Sequence, residues 1–399
     1  MWDRIFDAAM RRFVQRGALE VTVADQPPKR YGQSGVEPVR VHLKDEELMR
    51  RIVLSPDMAV GEAYTDGTLV LPEDDPRPLI QLALNNRAVD STPFLMKALD
   101  TIAAPIQRFI AANPLLRSRQ NVAHHYDLDG RLYDLFLDQD RQYSCAYFPH
   151  DDMTLEDAQI AKKRHIIGKL CLEPGMSVLD IGCGWGGMAL TLAKDYGAKV
   201  VGVTLSEEQL KVGRQRVKEA GLEGQIDLRL MDYRDVTETF DRIVSVGMFE
   251  HVGRRHFREY FDKVRDLLKD EGIALIHTIG STDAPRATSS WIRKYIFPGG
   301  YIPSMSETMA QIEKAELVTA DVEVLRVHYA KTIRHWYDRF MARVDEAERI
   351  HDARFVRMWR FYLLSAEEGF RLGTLVNFQF QLARSNTAVP LTRDYLYRN

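Results

Sequence analysis

The chain has 399 residues, 45% hydrophobic and 28% charged, a mix that excludes a disordered or fibrous polypeptide and leaves ample apolar material for a core. At roughly 150 residues per domain, this length predicts two to three domains. The 54 Lys+Arg nearly balance the 57 Asp+Glu, giving a net charge of -3, so charge offers no ground for a nucleic-acid partner. No apolar run approaches the roughly 18–20 residues needed to span a bilayer. The start, Met1 to Arg12, lacks the apolar stretch of a signal peptide. Cys145, Cys171 and Cys183 are odd in number and form no C-x-x-C, which predicts a reduced cytosolic chain with no disulfide framework and no metal site.

In chain order, Phe6, Met10, Phe13 and Val14 recur at helical spacing and predict a first amphipathic helix. Leu19 to Val23 and Val39 to Leu43 alternate as half-buried strands, with Gln26 to Gly32 as a turn between them. Gly61 to Leu69 reads as a helix end, a turn and a strand, placed for packing. Asp74-Asp75-Pro76-Arg77-Pro78 breaks the chain before another apolar helix, and residues 86–120 read as connector with a domain boundary near 115. From Met176 the pattern becomes strand, helix, strand. Val178 to Ile181, Lys199 to Leu205, Ile226 to Met231, Phe240 to Val246 and Gly272 to Ile279 are strands. Met188 to Tyr196 and Glu207 to Ala220 are helices between them, a mostly parallel, doubly wound α/β arrangement. Val318 to Val327 is a late strand, and Tyr329 to Val344 and Arg354 to Ala383 read as helices.

Gly182-Cys183-Gly184-Trp185-Gly186-Gly187 follows a predicted strand and opens a helix, satisfying G-x-G-x-x-G. Such glycines allow a tight turn and close approach of a ligand to backbone. Dinucleotide sites and S-adenosylmethionine (SAM) sites both use turns of this kind. Asp180, just before the loop, suits the ammonium and sulfonium of SAM and would repel a pyrophosphate. About 20 residues on, where a nicotinamide enzyme places an acid for the ribose, stand Val203-Thr204-Leu205-Ser206. SAM is therefore the favoured reading, with ribose recognition solved without that acid. Ser206-Glu207-Glu208-Gln209 also fits a helix capping box, which leaves Thr204, Leu205 and Gln209 free to border the cofactor crevice.

The stretches Gln142 to Phe148, Val178 to Gly187, Val203 to Ser206 and Asp232 to Asp235 are joined by Val246 to Gly253, Ile276 to Gly280, Tyr295 to Gly299 and Tyr329 to Thr332. Together they resemble the cyclopropane-fatty-acyl-phospholipid synthase family, which includes the mycolic acid cyclopropane synthases. The match spans about 120 to 385. The N-terminal module, with its Gly61 to Leu69 motif, is similar to the extra domain of the bacterial phospholipid enzymes. The resemblance implies a Rossmann-like SAM-dependent methyltransferase domain at 116–399 and a small N-terminal α+β domain at 1–115 that contacts lipid, membrane or a dimer partner. It also implies a cytoplasmic enzyme, peripheral to the inner face of the cell membrane, homodimeric, acting on unsaturated phospholipid.

The implied reaction moves the SAM methyl to a cis double bond of an acyl chain. Proton loss from that methyl then closes a cyclopropane ring. An alkene is a poor nucleophile, so alignment must supply much of the rate, and the cation needs a base and exclusion of water. In the family that base is bicarbonate, and the matching positions here are Cys145, Glu250, His277, Ile279 and Tyr329. His277 and Tyr329 can donate to an anion, Ile279 would contribute backbone, and Glu250 would fix the anion's protonation and orientation. By the same resemblance the cofactor positions are Tyr143, Ser144, Asp180, Gly182, Gly184, Thr204, Leu205, Gln209, Asp232 and Tyr233. Read singly, Cys145 is a small buried residue and His277 a satisfied core histidine. Glu250-His251 has no second histidine at metal-motif spacing, so no metal is expected.

Between 326 and 362, arginines and lysines crowd a run rich in Trp336, Tyr337, Phe340, Trp359, Phe361 and Tyr362, which suits an anionic headgroup surface or, alternatively, a solvated helix face over a core. Competing readings are a methyltransferase that leaves a methyl-branched unsaturated or methylene chain without ring closure, a lipid-binding protein without catalysis, and a nicotinamide oxidoreductase. The intact glycine loop and motif set disfavour the second. Asp180 and the missing ribose acid disfavour the third.

Overall fold

The computed structural model describes residues 1–87 and 130–397. The chain divides into two compact units. The first contains the described residues up to Arg87 with Thr288–Ile296 and Ile333–Thr374. Its four-stranded sheet has the order β2-β1-β3-β4, with β1 at Ala18–Val23, β2 at Lys29–Gly32, β3 at Val39–Leu43 and β4 at Leu69–Val70. The segment expected as a turn at 26–32 thus ends in an antiparallel strand, in which only Tyr31 is buried. Alternation in β1 sends Leu19, Val21 and Val23 into the core.

Gly61 lies on helix Pro56–Thr65, where a Cβ would stand 2.5 Å from the Trp291 ring, so this position admits only hydrogen. The helix Ala353–Arg371 and residues 333–342 of the helix His328–Ala342 belong to this unit, so the compact division is not the contiguous one expected from sequence, and the expected boundary near 115 lies outside the described residues. Their aromatics correct the membrane-surface reading: Trp336, Phe340, Trp359, Phe361 and Tyr362 are all buried. The arginines around them are paired, Arg334 with Glu367 and Arg357 and Arg360 with Asp74.

The second unit holds a seven-stranded sheet ordered β10-β11-β9-β8-β5-β6-β7. Here β5 is Ser177–Ile181, β6 Lys199–Thr204, β7 Ile226–Leu230, β8 Phe240–Val246, β9 Leu268–Ser281, β10 Val318–Val324 and β11 Leu375–Ala383. Strands β9, β8, β5, β6 and β7 run parallel, and β11 pairs antiparallel with both β9 and β10. This is the expected Rossmann-like α/β sheet. Adjacent residues face opposite layers. Val178 packs with Ile166, Met188 and Leu192 on one side, and Leu179 with Phe249, Tyr260 and Val264 on the other. The chain leaves β5 toward β6 on one flank and reaches β8 on the other, which opens a crevice at the carboxyl end of β5.

One expected element is corrected. The helix read from Arg354 to Ala383 ends at Arg371, and 375–383 is the strand β11. Leu372-Gly373-Thr374 breaks the helix. Val376, Phe378, Phe380 and Leu382 then alternate with Asn377, Gln379 and Gln381, a period of two buried on both faces.

Candidate active site

The glycine loop leaves β5 at Ile181 and turns on residues of positive φ, Gly182 at 79°, Gly184 at 54° and Gly186 at 81°. Gly182 and Cys183 both donate backbone N–H bonds to Val203 of β6, which fixes the loop to the sheet. Gly187 opens the helix Gly187–Tyr196, and a Cβ there would meet the Asp140 carboxylate at 2.5 Å and the Gln142 amide at 2.4 Å. Asp140 cannot retreat: Lys163 and Arg216 both hold it, and Arg216 also donates to the Trp185 carbonyl.

A cleft opens above this loop. All of the cofactor positions read from sequence line it: Tyr143, Ser144, Asp180, Gly182, Gly184, Thr204, Leu205, Gln209, Asp232 and Tyr233. Asp180 is buried in β5, and its Oδ2 has no hydrogen-bond partner among the described residues. Burial lifts its pKa to about 7, against the pull of Lys162. An orphaned carboxylate oxygen in a cleft fits a cationic ligand group, and it does not fit a pyrophosphate. At the end of β6, Ser206 caps the following helix by accepting from Gln209 N–H, as the capping reading expects. The Gln209 side chain instead accepts from the Thr204 hydroxyl at 3.0 Å, on the cleft wall. Asp232 takes both Arg234 nitrogens in a bidentate pair, at 2.9 and 2.8 Å.

The positions assigned to an anion lie outside that lining. Three of the five abut it through a neighbour: Cys145 follows Ser144, Glu250 precedes His251, and the His277 carbonyl accepts from Gly247 N–H. Glu250 and Ile279 are brought together, since Ile279 N–H donates to Glu250 Oε1 at 2.5 Å. That N–H, assigned by resemblance to the anion, is thus engaged with the carboxylate. Glu250 Oε2 has no hydrogen-bond partner among the described residues, and burial raises the group's pKa to about 7. Cys145 is fully buried, its thiol pKa pushed up by burial. Thr332 accepts from Ala146 N–H at 3.0 Å, which ties the Cys145 segment to the helix turn that carries the buried Tyr329. His277 ends in contact with Asn377 and Gln379 of β11.

Several residues of the site were not singled out in the sequence. Lys162, on helix Leu155–Lys169, is buried and donates to Gln142 Oε1 at 2.6 Å and to Ser144 Oγ at 2.9 Å, with its pKa lowered by burial to about 8. Asn377 and Gln379 were hidden by the helix reading of β11. Their signal was the alternation of amides with apolar residues. Asp140 carries no local motif.

A glycine-rich turn into a helix, an unpartnered carboxylate beside it and a parallel sheet of this order define the Rossmann-like SAM-dependent methyltransferases. The profile of the mycolic acid cyclopropane synthetase family matches residues 115–380. A "Probable fatty acid methyltransferase" of Pseudomonas putida is 36% identical, over 90% of this chain and 92% of its own. The cyclopropane-fatty-acyl-phospholipid synthase of Escherichia coli K12 is 38% identical, over 88% of this chain and 89% of its own. Among solved structures, mycolic acid cyclopropane synthase CmaA1, complexed with SAH and CTAB, superposes with a TM-score of 0.63 at 35% identity, covering 66% of this chain and 97% of that one. The chain belongs to the mycolic acid cyclopropane synthetase family.

Proposed function

We propose that this protein is a cyclopropane-fatty-acyl-phospholipid synthase. It transfers the methyl carbon of SAM to a cis double bond of an unsaturated phospholipid acyl chain, and proton loss closes the ring. The observation that carries this is the unpartnered Asp180 oxygen in a glycine-walled cleft of a chain in this family. Bound SAM supplies the electrophilic methyl. Asp180 holds the cationic amino-acid end, the bare backbone at Gly182 and Gly184 allows close approach, and Thr204, Leu205, Gln209, Asp232 and Tyr233 border the adenosine.

A bicarbonate beside the cleft supplies the proton acceptor. Glu250 answers the question of how a carboxylate tolerates an anion. Its raised pKa leaves it partly protonated near neutral pH, so Oε2 can donate while Oε1 stays held by Ile279. Cys145, His277 and Tyr329 complete the pocket, and burial of the set excludes water that would trap the cation. The enzyme meets its lipid as a peripheral membrane protein on the cytoplasmic face and works as a homodimer, with the N-terminal module making the lipid or dimer contact.

Incubation with SAM and unsaturated phospholipid vesicles, followed by NMR of the recovered acyl chains, tests the reading. High-field cyclopropyl proton signals are expected. A methyl-branched unsaturated or methylene product has the same mass and no such signals, and would replace ring closure by simple C-methylation.

A further inference from the structure

His277 lies on β9 opposite Gln379 of β11, and Ile279 lies opposite Asn377. Residues two apart on a strand share a face, so the two amides of β11 bracket the imidazole. The Gln379 amide is 3.1 Å from Nδ1 and the Asn377 amide 3.1 Å from Nε2. All three side chains are buried. Burial and the nearby Lys162 and Lys169 lower the ring's pKa to about 3, so near neutral pH it carries a single proton.

A neutral imidazole donates from one nitrogen and accepts at the other. An amide presents oxygen at one end and N–H at the other, and its partners decide which end faces which. For Gln379 the decision falls to Lys169, a buried amine pressed against the Glu323 carboxylate and 2.7 Å from Gln379 Oε1. Burial lowers the Lys169 pKa, but the Glu323 carboxylate against it, kept anionic by His165 and Lys169 at a pKa of about 2, opposes that fall and favours the ammonium. An ammonium only donates. The Gln379 oxygen therefore faces Lys169, its N–H faces Nδ1, and Nδ1 must accept. The ring proton then sits on Nε2. With an N–H toward Nε2, Asn377 would leave two donors facing each other and its own Oδ1 buried without a partner. Turned end for end, Asn377 accepts the Nε2 proton with that oxygen until an anion in the proposed pocket takes its place as acceptor.

We infer that Lys169 and Gln379 are positioning residues that lock His277 in the Nε2–H tautomer, so that the ring offers a donor at Nε2 to the anion of the proposed pocket. The lock follows from the hydrogen bonds of a neutral ring beside a charged Lys169 and does not require the anion. Its catalytic consequence rests on the proposed role of His277. The full-length protein, labelled with ¹⁵N-histidine, is examined by two-bond ¹H–¹⁵N correlation, with the ring assigned by its loss in His277→Gln. Bare Nδ1 and protonated Nε2 are expected. In Gln379→Glu a carboxylate faces the ring, and the proton is expected on Nδ1. Turnover should then fall at least about tenfold with KM for SAM unchanged, because Gln379 does not line the cofactor cleft.

A wild-type ring protonated on Nδ1 overturns the lock, and that readout does not depend on whether Gln379→Glu folds. Retention of Nε2–H in Gln379→Glu also overturns it. A switched tautomer with unchanged turnover upholds the lock and overturns the donor role of His277.

Discussion

Asp180 and Glu250 share a physical situation. Each is a carboxylate buried with one oxygen lacking a partner among the described residues, and in each burial raises the pKa to about 7. Between the unfolded value near 4 and about 7, the folded protein holds a proton that the unfolded chain has released. Stability from these groups is therefore present at low pH and lost as pH rises through that window. A cation bound at Asp180 reverses the balance, since it favours the ionised form. SAM affinity should thus increase from pH 6 to 8 and level off above, with proton release on binding. Asp180→Asn should weaken binding by about 10- to 100-fold, the size of a charge-assisted contact, and flatten the pH dependence. Titration calorimetry in buffers of different ionisation enthalpy measures both. Glu250→Gln keeps the acceptor for Ile279 N–H and removes the buried charge. At pH 8 it should unfold at a higher temperature than the parent while turnover falls about a hundredfold. Full turnover in this variant would remove Glu250 from the mechanism.

At the scale of elements, the loop and the helix it opens are defined by what a side chain would strike. The same holds for Gly61, whose missing Cβ admits the Trp291 indole. Gly61→Ala should destabilise the first unit by about 1–3 kcal/mol, the usual cost of overpacking, and lower its melting temperature. SAM affinity should be unaffected, because the cleft is lined by residues of the second unit alone. Elements with a clean local period were legible: β5, β6, β8 and the helices between them follow from alternating apolar strands and amphipathic turns. β11 was not. Its amides are buried rather than exposed, so the inside-outside contrast that marks a strand is absent, and only the break at Gly373 separates it from the preceding helix. The same strand carries Asn377 and Gln379, so the missed element hid the missed site residues.

At the scale of the whole molecule, no helix among the described residues is long and apolar enough to cross a membrane. The proposed function requires access to a bilayer lipid, and the route proposed for it is surface attachment. Trp336, Phe340, Trp359, Phe361 and Tyr362 are committed to the core of the first unit, so surface cations are the proposed means of attraction to anionic headgroups. Sedimentation with anionic phospholipid vesicles should therefore weaken as salt is raised from low to several tenths molar, where screening shortens the reach of charge. Pelleting that ignores salt would favour insertion of apolar residues instead.

The sequence by itself determined the family, the parallel sheet, the glycine loop and the residues that line the cleft. Each of these is encoded by short-range pattern: a period, a spacing, a glycine where backbone must turn. The tertiary structure decided which polar groups are left without partners and which are locked. Asp180 and Glu250 gain their shifted pKa values from burial. His277 gains its neighbours from a strand 100 residues further along the chain. Lys162 reaches the cleft wall from a helix whose sequence carries no mark of it. Burial and pairing are properties of position in space, set by all the elements together, and no local stretch of chain records them.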